Sequence, residues 1–543
     1  MKSNILMIII LLVSTSVLIA QPNQGDPEQQ FTIEREYKPS LADAVKVQLN
    51  PELPPIESKA PVLTYNVPDK YLNIPYEAPD VRPLAMKAIP LENLKNVYAK
   101  IGAGNRLMPY VDIYLNSGRN ERTDKETNNL NLGGRVGYIN TLESLPDQEY
   151  SEFRSKAFAT FFTDKVTLGG ELNYNHDGVR FYGFDHADST LDFLAIKQAF
   201  KFFNGNVFVK NTTKTYYDIS YNGKFDFNYL SDKFGNKEMN PVVNFMIKKG
   251  FDKGNYAKAD VLIDYNAFKY DSLESKNMII GFNPAYKLNK DKWNALLGLN
   301  LGVNEKSFFI FPDVRFEREL IGKAVVFTAG FTGDVVKNNY KAITDFNPFI
   351  DNDIILKNSK DLRLSLGLRG ALDKLTYAFK VNYDDIKNLP LFVIDTINVN
   401  RFNVIYDSTA LVLNLHGELG YSFSEKFRLG VIGDYFHYTL QDEDEAWHLP
   451  SAKATLYVNY NITDKLFTNA QLYLFNNTWA KTPEGGKEQL KGLVDINLGA
   501  TYKISESFHI FANVFNVASV KHQRWYNYPS YGLSALAGLA LHF

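Results

Sequence analysis

The sequence predicts an all-β fold: a transmembrane antiparallel β-barrel of about 22 strands, within a range of 16 to 22, entered through an extended proline-rich segment. Three observations carry that prediction. Apolar and polar residues alternate with a period of two in segment after segment from about residue 96 onward, the mark of strands whose two faces meet different surroundings. Aromatic residues make up 14% of the 543 residues, mostly 33 Tyr and 39 Phe, the rings that the interfacial girdles of a barrel consume. A mean hydropathy of -0.25 with no cysteine fits neither a helical membrane protein nor a disulfide-built secreted domain. A net charge of -2 points away from nucleic acid.

In chain order, residues 1–20 read as a secretory signal peptide. Lys2 precedes an apolar run over 5–20 that is short for a membrane span but right for a signal core, with cleavage expected after Ala20. Residues 21–95 change character, because 12 of the 22 prolines lie between Pro22 and Pro90. That density excludes a packed sheet or a long helix. Pro51-Glu-Leu-Pro-Pro55 and Tyr76-Glu-Ala-Pro-Asp-Val-Arg-Pro83 read as polyproline-like chain, while Phe31-Thr-Ile-Glu-Arg-Glu-Tyr-Lys-Pro39 has the alternation of a strand able to join a sheet edge. The segment is expected to be a periplasmic linker, or a docking arm that lines the lumen or engages a periplasmic or outer-membrane protein partner.

Residues 96–543 are expected to form the barrel. Leu362, Leu364, Leu366 and Leu368 alternate with Arg363, Ser365, Gly367 and Arg369. Ala454, Leu456, Val458 and Tyr460 do the same with Lys453, Thr455, Tyr457 and Asn459. Outer-membrane barrels join their strands by short periplasmic turns and longer external loops. Reading back from Phe543, the connections alternate accordingly: 518–530 long, 504–507 short, 481–489 long, 462–464 short, 441–450 long, 424–426 short. Further back, 372–374, 321–323, 288–292 and 163–165 fall on the short side, and 337–360, 269–276, 176–193 and 140–151 on the long side. The count reaches about 22 at the strand near residue 96, and an even number returns both termini to the periplasm. The first hairpin, 96–118, and the stretch 195–229 fit the alternation least well.

Tyr531, Leu533, Ala535, Ala537, Leu539, Leu541 and the terminal Phe543 share one parity, and the segment resembles the C-terminal insertion signal of bacterial outer-membrane barrels. That likeness assigns Tyr531, Leu533, Leu539, Leu541 and Phe543 to engagement of the barrel-assembly machinery, and it implies a Gram-negative outer membrane with its lipid around the wall. Other stretches resemble the barrel of TonB-dependent receptors: Asn347-Pro-Phe ahead of the strand from Asp361, Ile386-Lys-Asn-Leu-Pro390, Leu449-Pro-Ser-Ala-Lys-Ala, Asn513-Val-Phe-Asn516 and Tyr528-Pro-Ser-Tyr-Gly532. The resemblance spans roughly the second half of the barrel and independently implies 22 strands. It also sets out departures. Receptors of that family carry a plug of well over a hundred residues, against some 75 proline-rich residues here; no energy-coupling box is evident, and Leu533 stands where Arg commonly follows the glycine at 532. A plug-less variant is therefore expected.

No cofactor and no enzymatic constellation emerges. His176-Asp177 with Asp185-His186-Ala-Asp188, and the run Asp442-Glu-Asp-Glu445, lack the spacing of a metal or calcium site and read as solvated external loops. The functional lead is charge on the inner face. If the leucine parity faces lipid, then Arg363, Arg369, Lys380, Asp384, His416, Glu418 and Lys453 face the lumen, since a basic residue at the bilayer midplane would cost about 2–4 kcal/mol. These observations lead to a barrel that passes or binds a solute across the outer membrane. Two alternatives are a non-transporting scaffold of an outer-membrane complex and a TonB-coupled importer with a short, unconventional plug.

Overall fold

The computed structural model describes residues 95–543, apart from 118–128, 143–144, 185, 187–194, 214, 272 and 306. Residues 1–94, which include the expected signal peptide and nearly all of the proline-rich segment, lie outside the described residues, so the plug-less expectation does too. The barrel itself is unambiguous. One sheet contains 22 strands, each antiparallel to the next, and the first, Val97–Gly104, pairs with the last, Ser534–His542. Closure removes both sheet edges, which is the condition for a β-sheet to stand in hydrocarbon.

The register explains why each strand alternates. In Ser359–Leu372, Leu364, Leu366 and Leu368 are exposed on the outer face. In Leu375–Ile394, the outward Phe379, Val381 and Tyr383 are exposed, whereas Asn382 and Asp384 on the other parity are buried. The same division recurs in Phe402–Ser424, with Leu415, Leu419 and Tyr421 outside and Asn414 inside. An apolar belt outside and a polar wall inside is the arrangement for which period-two sequences are suited. Among the described residues, no helix is long and apolar enough to cross a membrane.

The two ends differ as the turn lengths foretell. At the turn end most joins are short, 163–165, 291–292, 322–324, 373–374, 425–426, 462–465 and 504–507, with longer ones at 117–129, 212–218 and 251–255; at the loop end they include 337–358, 395–401, 440–451, 476–492 and 516–533. One expected loop is instead a turn: Tyr256–Tyr270 and Leu273–Lys290 approach to within two residues, with Asp271 at a φ of 49° to make the bend. The difficult stretch 195–229 resolves into Lys197–Asn211 and most of Ile219–Asp232, and the first hairpin is real, with a three-residue turn at its loop end. Strand length varies strongly around the wall. Val97–Gly104 has 8 residues and Phe402–Ser424 has 23, which is about 26 Å against about 76 Å of strand at 3.3 Å per residue. The long strands thus run well past any bilayer, and their loops fold back over the mouth.

The last strand begins later than its sequence parity suggests. Tyr531 and Leu533 precede Ser534–His542 and belong to the loop before it, where Asn516 Nδ2 donates to Tyr531 O at 2.8 Å. Leu539 and Phe543 remain on the exposed side of the chain end. A short polar contact closes the loop, and this overrode the alternation at its start.

Candidate functional site

The seven inner-face charges of the sequence analysis all lie on the parity away from the apolar belt, and six of them are drawn into ion pairs. Asp384 receives a bidentate guanidinium: Arg363 Nε donates to Oδ1 at 2.7 Å and Nη2 to Oδ2 at 3.2 Å, while Nη2 also reaches Asp361 Oδ2 at 3.1 Å. Arg369 Nη2 meets Glu317 Oε1 at 2.5 Å across the one intervening strand, Val325–Val336. His416 stands between two carboxylates, with Nδ1 2.8 Å from Asp434 Oδ1 and Nε2 2.9 Å from Glu418 Oε1, and Lys453 Nζ is 3.6 Å from Asp434 Oδ2. Lys380 faces Gly367 on one side and His416 on the other in the strand register.

Asp434 is the hub that sequence reading missed. It sits at the inward parity of Phe427–Thr439, and tracing the alternation Arg428, Gly430, Ile432, Asp434 from that strand's own apolar positions would have found it. Further inward pairs come from the first half of the barrel: Arg135 with Asp112 at 2.8 Å and Lys156 with Glu171 at 2.9 Å. Most of these inward charges stand beside an opposite one, so their fields partly cancel.

The loop end is covered by a packed cap. Loops from distant parts of the circumference meet there over a core that includes Tyr340, Ile343, Ile350, Phe392, Phe402, Trp525 and Tyr528. Phe402 is 0% exposed, and its ring centroid lies 5.6 Å from Trp525 and 5.9 Å from Tyr528. Phe349 stacks on Tyr528 at 3.8 Å. Polar ties cross the mouth: Tyr528 OH donates to Asn400 O, Tyr182 OH to Pro529 O at 2.9 Å, and Gln148 Nε2 to the same carbonyl at 2.8 Å. Arg401 pairs with Asp351 at 2.9 Å and lies over both Phe181 and Phe234. Burial pushes the Tyr182 phenol up to about 12 and the His448 imidazole down to about 3.

Wall residues anchor the cap. Glu238 caps the helix Tyr340–Phe346, accepting from Tyr340 N at 2.7 Å, Lys341 N at 3.2 Å and Asn339 Nδ2 at 2.8 Å. Tyr340 OH donates to Asp232 Oδ2 at 2.8 Å. Lys337 reaches down to Asp264 Oδ2 at 2.5 Å and Asn240 Oδ1 at 2.9 Å.

Two loop readings need correction. The Asp442 to Glu445 run is not merely solvated: Asp442 accepts from Ser408 N at 2.7 Å, Glu443 from Trp447 Nε1 at 2.8 Å and Lys481 Nζ at 3.0 Å, and Glu445 from Lys487 Nζ at 2.7 Å. Asp407, fully buried, orders that loop by accepting the N–H groups of Gln441, Asp442 and Glu443. His176 and Asp177 lie within the strand Val166–Arg180 rather than in a loop, and Asp185 and Asp188 lie outside the described residues.

No protein-family model matches this chain, and no curated protein does. Solved structures do. The ferric enterobactin receptor PfeA of Pseudomonas aeruginosa is similar at a TM-score of 0.64 with 11% identity, covering 82% of this chain and 81% of that one. The siderophore receptor PirA of Acinetobacter baumannii gives 0.63 and 11% over 82% and 80%, and the ferripyoverdine receptor of the Pseudomonas aeruginosa outer membrane gives 0.63 and 12% over 83% and 72%. At this identity the likeness is one of fold, and it establishes that the chain folds as the closed 22-strand barrel of siderophore receptors.

Proposed function

We propose that the chain is an outer-membrane barrel that binds or passes a solute, with its loop cap as the outer gate. The observation that carries this reading is the combination of a polar, charge-paired inner wall with an aromatic cap held by specific bonds to that wall. Its fold neighbours are named as siderophore receptors, which supports a solute-handling role rather than catalysis. In this reading residues 1–20 are a cleaved signal, both termini lie in the periplasm, outer-membrane lipid surrounds the belt, and the last strand engages the assembly machinery. Residues 21–95 then reach the turn end as a linker or a minimal plug. Arg363, Arg369, Lys380, Asp384, His416, Glu418 and Lys453 line the solute path.

Bilayer conductance of the refolded mature chain tests this. It is compared with a chain lacking residues 21–95 and with a cap-weakened Phe402→Ala chain. The cap is expected to hold conductance low in the mature chain, and Phe402→Ala to raise it. Absence of conductance in every chain, together with absence of binding to any solute, would sink the reading.

A second reading, a non-transporting scaffold, is favoured by the same cap, since a mouth filled with packed rings offers no standing path. Gentle detergent extraction that yields only the lone chain counts against it.

A further inference from the structure

On the inner wall, asparagines face one another across neighbouring strands, rising from mid-strand at Asn173 and Asn204 to the loop end at Asn240. Asn173 of Val166–Arg180 is directly opposite Asn204 of Lys197–Asn211, Asn204 opposite Asn228 of Ile219–Asp232, and Asn228 opposite Asn240 of Lys237–Gly250. Asn266 of Tyr256–Tyr270 is in turn opposite Asn277 of Leu273–Lys290. All six take the inward parity, set by the exposed Leu172, Phe203, Phe225, Val243, Ile263 and Met278 beside them.

The side chains form a one-way relay. Asn173 Nδ2 donates to Asn204 Oδ1 at 2.9 Å, Asn204 Nδ2 to Asn228 Oδ1 at 2.8 Å, Asn228 Nδ2 to both Asn240 O at 3.2 Å and Asn240 Oδ1 at 3.4 Å, and Asn240 Nδ2 to Asp264 Oδ1 at 2.6 Å. A chain of donors that ends on a carboxylate polarises each amide along it. The wall does not need this row to stay together, because its backbone ladder is already complete on both sides of Asn204 and Asn228. Asparagine is also disfavoured in strands. Asn240 has a local task, since its Nδ2 donates to Tyr265 O at 2.7 Å beside Pro241, where the ladder to Tyr256–Tyr270 is interrupted; Asn173, Asn204 and Asn228 call for a reason other than the ladder.

Each amide carries two N–H donors and an oxygen with two lone pairs. Asn240 uses all of them, donating to Asp264 Oδ1 and Tyr265 O and accepting from Asn228 Nδ2 and Lys337 Nζ, whereas Asn173 Nδ2 and Asn204 Nδ2 each donate once among the described residues. Asn277 Oδ1 is buried and has no partner among the described residues. The charges at the ends of the row are neutralised in place, Lys156 by Glu171 and Lys337 by Asp264. What remains is a strip of paired donors and acceptors without net charge, repeated at roughly the 4.8 Å spacing of strands. Two inward rings lie nearer the turn end: a Cβ on Gly133 would stand 2.3 Å from Phe158 Cζ, opposite Glu171, and one on Gly169 2.3 Å from Phe208 Cζ, four residues from Asn204 on the same strand. Aromatic walls with a few placed polar groups characterise ligand sites.

We propose that the asparagine row is a binding track for a neutral, polyhydroxylated chain such as an oligosaccharide, held beneath the cap. The proposal rests on the solute-handling reading above and names its substrate class. Uncharged hydroxyls, each donor and acceptor, match an uncharged amide row; an anionic solute would find no unpaired cation in it.

Calorimetry on the purified full chain in detergent tests this, with maltohexaose as the neutral probe and an oligogalacturonate hexamer as the anionic one. Both are also titrated into Phe402→Ala, so that cap closure does not hide the site. Maltohexaose is expected to bind at least tenfold more tightly than the anionic probe. Asn204→Leu and Asn228→Leu should each weaken it at least tenfold in chains that keep the heat-modifiable migration of a folded barrel. Should those variants misfold, Asn204→Asp, which keeps the shape but adds charge, is expected to weaken it likewise. Binding of maltohexaose that is unaltered by these substitutions, or preference for the anionic probe, overturns the track while leaving a solute-handling barrel in place. Absence of binding to either probe overturns the track, and absence of conductance as well removes the broader reading with it.

Discussion

Single side chains decide whether the loop end is a fixed structure. Asp407 is buried and accepts three successive N–H groups of the 440–451 loop, so Asp407→Ala leaves those donors without partners at a cost of about 1–3 kcal/mol each before water enters. Limited proteolysis should cut that loop at least tenfold faster in the variant, with the barrel fragment intact. His448 gives the cap a pH dependence. It is almost wholly buried against Trp525 and Phe402, at centroid distances of 5.0 and 5.5 Å, and its folded-state pKa is lowered to about 3. A released loop binds the proton near the ordinary value of about 6.5, so the closed cap keeps its full stability above that pH. Stability is then lost as pH falls towards 3. Lowering the pH from 6.5 to 5 should weaken closure by about 2 kcal/mol, at about 1.36 kcal/mol per unit. Hydrogen exchange of the cap at pH 7 and pH 5 reads this, and His448→Phe is expected to abolish the difference.

At the scale of elements, strand faces and strand lengths carry different meanings. Leu366 is 48% exposed on the outer face of Ser359–Leu372, where Leu366→Arg is expected to cost about 2–4 kcal/mol and Leu366→Phe little. Urea titration of folding into lipid vesicles compares the two, and equal midpoints would mean that this face does not meet hydrocarbon. The longest strands, Leu375–Ile394 and Phe402–Ser424, rise past the belt and place Phe402 at the centre of the cap. Phe402→Ala is expected to cost the cap about 3–5 kcal/mol while the barrel still resists SDS before heating. The alternation was legible strand by strand, since Leu364 and Asp384 need only their own neighbours to declare a side. Element ends were less so: Tyr531 and Leu533 continue the parity of the last strand, yet both lie in the loop before it, where Asn516 Nδ2 donates to Tyr531 O and Leu533 N donates to Ser519 Oγ.

Over the described residues, a closed wall is joined to a capped loop end. Cap and barrel share residues such as Glu238 and Asp264 but rest on different forces, ring packing in one and the backbone ladder in the other. Mild acid should therefore expose the cap to protease well before the barrel loses its heat-modifiable migration, and simultaneous loss of both would show one cooperative unit instead. The amino-acid sequence by itself determined the all-β barrel, its count near 22 and the two end types, because a period of two and the length of a turn are local properties. Only the tertiary structure decided that Asp434 gathers His416 and Lys453, that loops more than a hundred residues apart close over Phe402, and that asparagines scattered from 173 to 240 fall into one row. Those relations depend on strand register and on chain crossings over the mouth, which bring together residues that no sequence window contains.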